Sequence, residues 1–564
     1  MRAVAAPATV LITVVATAVT AQPNVAMILQ PPIVSGGSSS YGHAIASDDI
    51  DGDGNMDLAV ANDDTDTVSV LWGKGDGTFT PADTFNVGTA AIESPVAIAI
   101  ADIDGKGKKD IVTANDFADT VSVLLNLNED GRTFAAAKES AVGLSPDIPM
   151  SPEAIAVEDF NADGKLDVVT ANLLDDSVTV LLGNGDGTFS ILSVCSTAPA
   201  QSCSSGNECP SGGACTPQLI PVGSYPDALV AVDLDHDQNG ILDLVVANSS
   251  GGLDQMGSLT VLQGRGNGTF ACVAGTDASC PAPEITSPTF DDPIAMTAAD
   301  LNGGGIPDLV VVNDFGDSLS VLFGKGDFTF EDAVALPLSE FSQPEQAVVA
   351  NLNGDDIPDI ATSASLQDKV AVFVGQGNGT FADAVYFTLP ANSAPLGVVA
   401  SDFNHDDKPD LAVQGGNDPG TVSVLLNASD ITLVSGISAA DITITVTDAA
   451  PFPASGMIVI DQERIIYTTK QGNTLSGVLR GANGTTPAAH AAGAAVTLVP
   501  PPACVGDCGG TGSVSVVDIL TMVNVALGDL PLAGCQGGDA NGDGQVTVDE
   551  ILSAVSNALN GCGA

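Results

Sequence analysis

Basic residues are scarce in this chain: 15 Lys and Arg stand against 70 Asp and Glu, a formal net charge of −55. Nucleic acid and anionic membrane surfaces are both held by clustered Lys and Arg, so neither is expected as a partner. Histidine is rarer still, at His43, His236, His405 and His490 only, and no nucleophile elbow, HExxH motif or phosphate-binding glycine loop occurs. Acid pairs are so abundant that choosing two for glycoside hydrolysis is arbitrary. One Trp and four Tyr are too few for sugar-stacking platforms. Trp72 occupies a slot taken by Leu182 and Phe323 in related segments and is expected in the core. After residue 21 no run of 18 unbroken apolar residues occurs, so no membrane span is expected there.

A chain of 564 residues is too long for one ordinary domain unless it is a repeat array. Because 44% of residues are hydrophobic, the acids sit on a foldable chain, which suggests cation binding. Residues 1–21 have the form of a secretory signal peptide: Arg2 supplies the charge, residues 3–19 an apolar stretch, and Val19-Thr20-Ala21 a cleavage site. A retained membrane anchor is the alternative for that segment. The chain is expected to be secreted, extracellular or at the cell surface, with its ten cysteines in disulfides.

One unit recurs. Residues 49–79 read DIDGDGNMDLAVANDDTDTVSVLWGKGDGTF: an acidic loop, a short apolar strand, a polar turn, a β-branched strand, and a glycine turn closing on Phe79. Variants start at Asp102, Asp159, Asp235, Asp300, Asn351 and Asp402, making seven units spaced 51 to 57 residues apart except for two longer steps. The step after Asp159 carries Cys195, Cys203, Cys209 and Cys215, which permit three pairings, and the step after Asp235 carries Cys272 and Cys280. Both read as locally stapled surface insertions. A strand-like run such as PVAIAIA at residues 95–101 precedes the loop, and β-branched runs bounded by Gly, Asn and Asp follow it. Four short strands in about 50 residues fit a propeller blade, so residues 22–427 are expected to form a seven-bladed β-propeller in a mainly β chain. Residues 24–48 are expected to complete the last blade and so remove two exposed edges.

The combination of D-x-D-x-D-G-x-x-D, VVAN and GNGDGTF resembles the FG-GAP or VCBS-type repeats of integrin-α-like propellers, over residues 30–427. The resemblance implies calcium in the loops and an extracellular propeller of the cell-adhesion kind. It does not imply an enzyme.

The residues support the same cation. Calcium takes six to eight oxygens, and four acidic or amide side chains within nine residues repel one another without a cation among them. Candidate ligands are Asp49, Asp51, Asp53 and Asp57 in the first unit, and Asp102, Asp104 and Asp110 in the second. The third offers Asp159, Asn161, Asp163 and Asp167. The fourth offers Asp235, Asp237, Asn239 and Asp243, a register that puts Gly240 where Gly54 sits. The fifth has Asp300, Asn302 and Asp308; the sixth Asn351, Asn353, Asp355 and Asp359; the seventh Asp402, Asn404, Asp406 and Asp410. Lys106 and Gly304 replace the third ligand in the second and fifth units, and the Lys106 ammonium is expected to stand where the ion would be. His236 and His405 fall at non-ligand positions of their loops. Metal-free Asx-rich turns are the alternative reading. The calcium is expected to be structural, for which an affinity of about 0.1–1 mM suffices outside the cell.

Residues 428–500 carry alternating runs (ITITVTD, MIVIDQERIIYTT, AAVTLV) without an acidic loop, so a small all-β domain is expected, followed by a stiff Pro500 to Pro502 spacer. The stretch TLSGVLRGANGTTPAAHAAGAAV resembles a small β module of phage-tail and surface proteins. In residues 501–564 the period changes, and VVDILTMVNVAL and VDEILSAVSNAL place apolar residues at helical spacing. The loop Asp539, Asn541, Asp543, Gly544, Gln545, Thr547, Glu550 matches EF-hand spacing, whereas the earlier loop keeps only Asp507 and Asp518. Cys504, Cys508, Cys535 and Cys562 flank the pair and are expected in disulfides, with a zinc site as the alternative. This tail resembles the paired loop-helix repeats of dockerins and EF-hands. That implies a small α-helical calcium module and a cohesin-like partner, although Val516-Val517 and Val548-Asp549 depart from the small hydroxyl residues usual at that contact.

The expected function is that of a secreted calcium-binding propeller acting as a binding or adhesion module for an extracellular protein or glycan. The alternatives are an extracellular polysaccharide lyase or hydrolase with a dockerin-like tail, and a passive surface-layer spacer.

Overall fold

The computed structural model describes residues 27–29, 33–34, 44–499, 516–526, 551 and 554. Excepted within the long span are 90–91, 128–130, 197, 204–208, 210–213, 236–238, 250–255, 273–283, 417–419, 428–430, 432, 448, 450–451, 453–455, 461–462, 483–484, 492–493 and 495.

The strand after each acidic loop is a continuous apolar run, as in Asp57–Asn62 (DLAVAN) and Asp243–Asn248 (DLVVAN), and it is buried along its whole length. Alternation is missing because both faces of the sheet are covered. Leu58 and Val60 pack with Ala412, Val422 and Val424 of the last sheet, whereas Ala59 packs with Ile111 and Leu124 of the next.

Antiparallel pairing in chain order builds each sheet outward from an inner strand: Ala44–Asp48, Asp57–Asn62, Thr67–Leu71 and Asp83–Asn86 form the first. Seven sheets of this kind occur among the described residues, and an apolar cluster lies between each and the next. The innermost strands touch in succession, and the last of them, Pro395–Ser401, touches the first. The chain is thus mainly β, built of repeated small antiparallel sheets arranged as in a β-propeller. Met27–Leu29 and Ile33–Val34 both pair with Thr421–Asn427, so the N-terminal segment supplies the outer edge of the last sheet, as its sequence position predicts. This arrangement puts the acidic loops at one end of every sheet. The turns between second and third strands, and the crossovers to the next sheet, lie at the other.

Of the three possible cysteine pairings in the first insertion, the structure has Cys195–Cys209 and Cys203–Cys215, with Cα separations of 5.2 and 5.8 Å. These interleaved bonds close a small sheet of Ser193–Cys195, Ala198–Ser202 and Cys215–Pro217. Cys280, the expected partner of Cys272, lies outside the described residues.

Residues 433–499 hold two three-stranded sheets over one core that includes Phe452 and Tyr467. There Glu463 accepts both an Arg480 fork (2.7 and 2.8 Å) and the His490 ring (2.8 Å). Burial works to raise the Glu463 carboxyl, but Arg480, His490 and the N–H groups of Ala488 and Gly481 outweigh it and hold it down at about 2. In the tail, Val516–Ala526 is helical as its period predicts. The loop with Asp539, Asn541, Asp543, Gln545 and Glu550, and the four tail cysteines, lie outside the described residues. No described helix is long and apolar enough to cross a membrane.

Candidate metal centres

Each acidic loop begins as a turn tied to its own first side chain. Asp49 accepts the N–H of Gly52 (2.8 Å) and of Gly54 (3.0 Å). Both glycines have left-handed φ values, 78° and 92°, which a side chain would strain. The pattern repeats where Asp102 takes the N–H groups of Lys106 and Gly107, Asp300 those of Gly304 and Gly305, and Asp402 those of Asp406 and Asp407. Folding the backbone onto this first acid brings its neighbours around. Oxygens of Asp49, Asp51 and Asp53 lie within 4.8 Å of one another, as do those of Asp102, Asp104 and Asp110 and those of Asp233, Asp235 and Asp243.

Asp233 was not legible in the sequence. Val232 pairs with Asp243 as Ala101 pairs with Asp110, so Asp233, not Asp235, sits where Asp102 does, and the fourth loop is longer than the others. A register taken from Gly240 alone hides this. Asp237 of that loop lies outside the described residues, while Asn239 accepts the Ile241 N–H at 2.6 Å. In the third loop Asp159, Asn161 and Asp163 accept N–H groups of Asp163, Gly164 and Lys165. In the sixth, Asn351, Asn353 and Asp355 do so for Gly354, Asp355 and Ile357. Asn404 likewise takes the Asp406 N–H in the seventh, and Asn302 that of Gly304 in the fifth.

The last acid of each loop has a second task. Asp57 is fully buried, and its oxygens accept the N–H of Ile50 at 2.9 Å and of Gly73 at 2.7 Å, so it joins the loop to the end of the third strand. Asp110, Asp167, Asp243, Asp308, Asp359 and Asp410 repeat this clamp at 2.7 to 3.1 Å. Burial pushes the Asp57 carboxyl up to about 7 and that of Asp410 up to about 8, against the pull of those N–H groups, and Asp51 and Asp406 add repulsion. The carboxyls of Asp110, Asp167, Asp243 and Asp359 are raised to about 6 for the same leading reason.

Protein cations meet several of the loops, the loosest contact being Lys165 at 3.8 Å from Asp163 in the third. The Lys106 ammonium lies 2.5 Å from Asp104 in the second loop. Arg132, from the glycine turn of the second unit, reaches into the first loop, 2.6 Å from Asp51 and 3.6 Å from Asp53, with its guanidinium over the Trp72 ring. Nothing in the local sequence around Asp51 announces Arg132. Trp72 is buried as expected, and its indole N–H donates to Asp83 at 2.7 Å. His405 is exposed and bonds Asn55 at 2.8 Å, joining the seventh loop to the first.

Another repeated acid serves the fold. Asp66, Asp119, Asp176, Asp317 and Asp368 close the turn before a third strand, all with left-handed φ of 42° to 54°. Their carboxylates accept N–H groups of the crossover leading to the next sheet: Glu93 and Ser94 for Asp66, Met150 and Ser151 for Asp119, Tyr225 for Asp176, Ser342 and Gln343 for Asp317, Ala394 for Asp368. These acids latch neighbouring sheets together.

The candidate ligands in the loops are carboxylate or amide oxygens, the set a hard divalent cation takes. A model of the FG-GAP-like repeat matches residues 49–113, 102–170, 235–311, 300–362 and 362–413. No curated protein sequence matches the chain. Among solved structures, virginiamycin B lyase from Staphylococcus aureus is 12% identical, covering 71% of this chain and 99% of that one with a TM-score of 0.44. A streptogramin B lyase is 14% identical over 71% and 98% with a TM-score of 0.45. A lectin of Agrocybe aegerita that recognises non-reducing terminal N-acetylglucosamine is 22% identical over 65% and 90% with a TM-score of 0.40. Likeness of that degree bears on neither activity nor ligand.

Proposed function

The chain belongs to the FG-GAP-like repeat family, and on that premise we propose that it is a secreted, calcium-binding, seven-bladed β-propeller that serves as an extracellular binding module. The observation that carries the calcium reading is the convergence of Asp49, Asp51 and Asp53, whose oxygens lie within 4.8 Å of one another. Three carboxylates at that spacing repel, and a divalent cation between them removes the repulsion. Asp49, Asp51 and Asp53 would hold the ion in the first loop, and Asp233, Asp235 and Asp243 in the fourth. Calcium, when bound, supplies positive charge that fixes the turn. Asp57 and its counterparts keep that turn attached to the third strand whether or not the ion is there.

The ions are structural in this reading. They sit at the sheet ends, among residues already engaged in turns, and among the described residues no acid, base and nucleophile converge there. Secretion is supported by the Arg2-led apolar segment of residues 1–21, and the tail at 501–564 reads as a separate calcium module. Thermal melting of the full chain in 10 mM calcium against EDTA tests the premise. With a dissociation constant of about 0.1–1 mM, each filled site adds roughly 1.4–2.7 kcal/mol. An unchanged melting temperature would sink the calcium reading. A glycan and extracellular-protein array run in calcium tests the binding reading, and turnover on a polysaccharide panel would replace it with an enzyme.

A further inference from the structure

At the ring end opposite the acidic loops, large apolar side chains stand in water. The turn after the second strand exposes Phe117, Leu174, Phe315 and Leu366 at the same position of four units, and the crossovers add Ile92 and Phe341. Phe117 is 72% and Phe341 73% exposed. Single surface apolar residues are ordinary. Recurrence at one position of a repeat, on one end of a ring, makes a patch of the kind that marks interaction sites. The backbone beneath is fixed: N–H groups of Leu174 and Leu366 donate to carbonyls of Met150 and Ser342 in the crossovers, and the crossovers are latched by Asp119 and Asp317. With its backbone already held, such a surface has a lower ordering cost on binding.

Within this apolar crown the charge is overwhelmingly negative; among the described residues the cation at this end is Lys369, at the start of a third strand, whose ammonium donates to Gln367 at 3.3 Å and lies over the Tyr386 ring. Glu153, Asp227 and Glu345 stand at the start of innermost strands, and Asp116 and Asp314 at the end of second strands. Their carboxylates share a space, since Asp116 and Asp227, from two other units, both act on Glu153. The described residues of the turns 63–66, 116–119, 173–176 and 314–317, and of the crossovers 87–94, 142–151, 222–225, 287–292, 338–343 and 389–394, include no Lys or Arg. Carboxylates ringed by Phe, Leu and Ile complement a cation carried between apolar groups. Neutral glycans call instead for stacked Trp or Tyr faces, and among its described residues this end offers one exposed Tyr, Tyr225, and no Trp.

We propose that this end of the ring is the docking face for an extracellular protein segment bearing Lys or Arg between apolar residues. The inference rests on the binding-module reading and names its face and partner. The test uses the full chain in calcium at pH 9, where Glu153 and Glu345 are ionised, and three soluble twelve-residue peptides: Arg alternating with Leu, Glu alternating with Leu, and Arg alternating with Gly. The Arg–Leu peptide is expected to bind tightest, with affinity falling as salt rises. Phe117→Ser with Phe341→Ser should weaken it about tenfold or more, and Glu153→Gln with Glu345→Gln about tenfold with a flatter salt dependence. Leu479→Ser, an exposed apolar site in residues 433–499, should change nothing, and all variants should melt cooperatively. Equal binding by wild type and the Phe pair, equal binding of the Glu–Leu peptide, or no peptide binding overturns the assignment. Capture of a glycan in place of the peptide overturns it while leaving the binding-module reading in place, whereas polysaccharide turnover removes both.

Discussion

The two ends of the ring are both acidic, but their acids are spent differently. At the loop end nearly every carboxylate is engaged: Asp49 folds its own turn, Asp57 clamps three N–H groups, and Asp104 and Asp51 meet Lys106 and Arg132. At the opposite end the latch acids such as Asp317 are engaged too, but Glu153, Asp227 and Glu345 are half-buried among other acids with hydroxyls as their nearest aid. A net charge of −55 thus has two origins, carboxylates that hold the fold and carboxylates that the fold holds at a cost. Unrelieved charge at a stated place points to function there, and relieved charge points to architecture.

The sharpest break of this contrast is to remove a clamp. Asp57→Ala strands the buried N–H groups of Ile50 and Gly73 and should cost about 2–4 kcal/mol in urea unfolding. Asp53→Ala, at an exposed position of the same loop, should cost less than about 1 kcal/mol in EDTA. Equal losses would mean that the loop acids and the clamp do the same job. Next in size is a latch: Asp317→Ala releases the N–H groups of Phe341, Ser342 and Gln343 and should cost about 2 kcal/mol. Its amide-exchange signature is faster exchange of those three groups ahead of global unfolding.

Much of the architecture was legible because it rests on local pattern. DLAVAN-type runs, glycine turns and a spacing near 50 residues announce strands and repeats, and the continuous apolar runs correspond to sheets covered on both faces. The acidic loops were legible for the same reason. What stayed hidden acts across distance. The clamp joins Asp57 to Gly73, the latch joins Asp317 to the next sheet's approach, and Arg132 reaches Asp51 from 81 residues away. Asp233 was lost to an insertion that shifted the register of the fourth loop. The apolar crown was invisible because its members lie one to a unit, each an ordinary surface residue when read alone.

A smaller effect separates the two ends by pH. Burial first, then the carboxylates of Asp116 and Asp227, push the Glu153 carboxyl up to about 8, from an ordinary value near 4.5. An acid whose folded pKa is raised favours folding fully below its unfolded pKa and loses that contribution as pH climbs towards the folded value. Glu153→Gln removes the ionisation, so it should be near neutral at pH 4.5 and stabilising by about 1–2 kcal/mol at pH 8. Glu345→Gln should follow the same course with its loss complete nearer pH 7, since burial and then Asp314 raise that carboxyl to about 7. Urea unfolding of both variants across pH 4.5 to 8 reads this directly. A variant that is destabilised at pH 8 would show that the carboxylate has a cation partner, and the two ends would then be alike.

The smallest expected change probes the loop end itself. Arg132 and a divalent cation compete for Asp51, because the guanidinium lies 2.6 Å from the same carboxylate that faces Asp49 and Asp53. The ion pair is partly exposed, so Arg132→Met should shift calcium-free stability by less than about 1 kcal/mol; methionine keeps apolar contact with the Trp72 ring that the arginine covers. In calcium the sign reverses: freed of the guanidinium, Asp51 can turn wholly to the ion, and the melting gain on adding calcium should exceed that of the wild type. Lys106→Asp in the second loop is the parallel case, placing a carboxylate where an ammonium now holds Asp104. If neither substitution enlarges the calcium response, the loop acids are turn-formers alone, and both ends of the ring would owe their acids to the fold and its partner rather than to a metal.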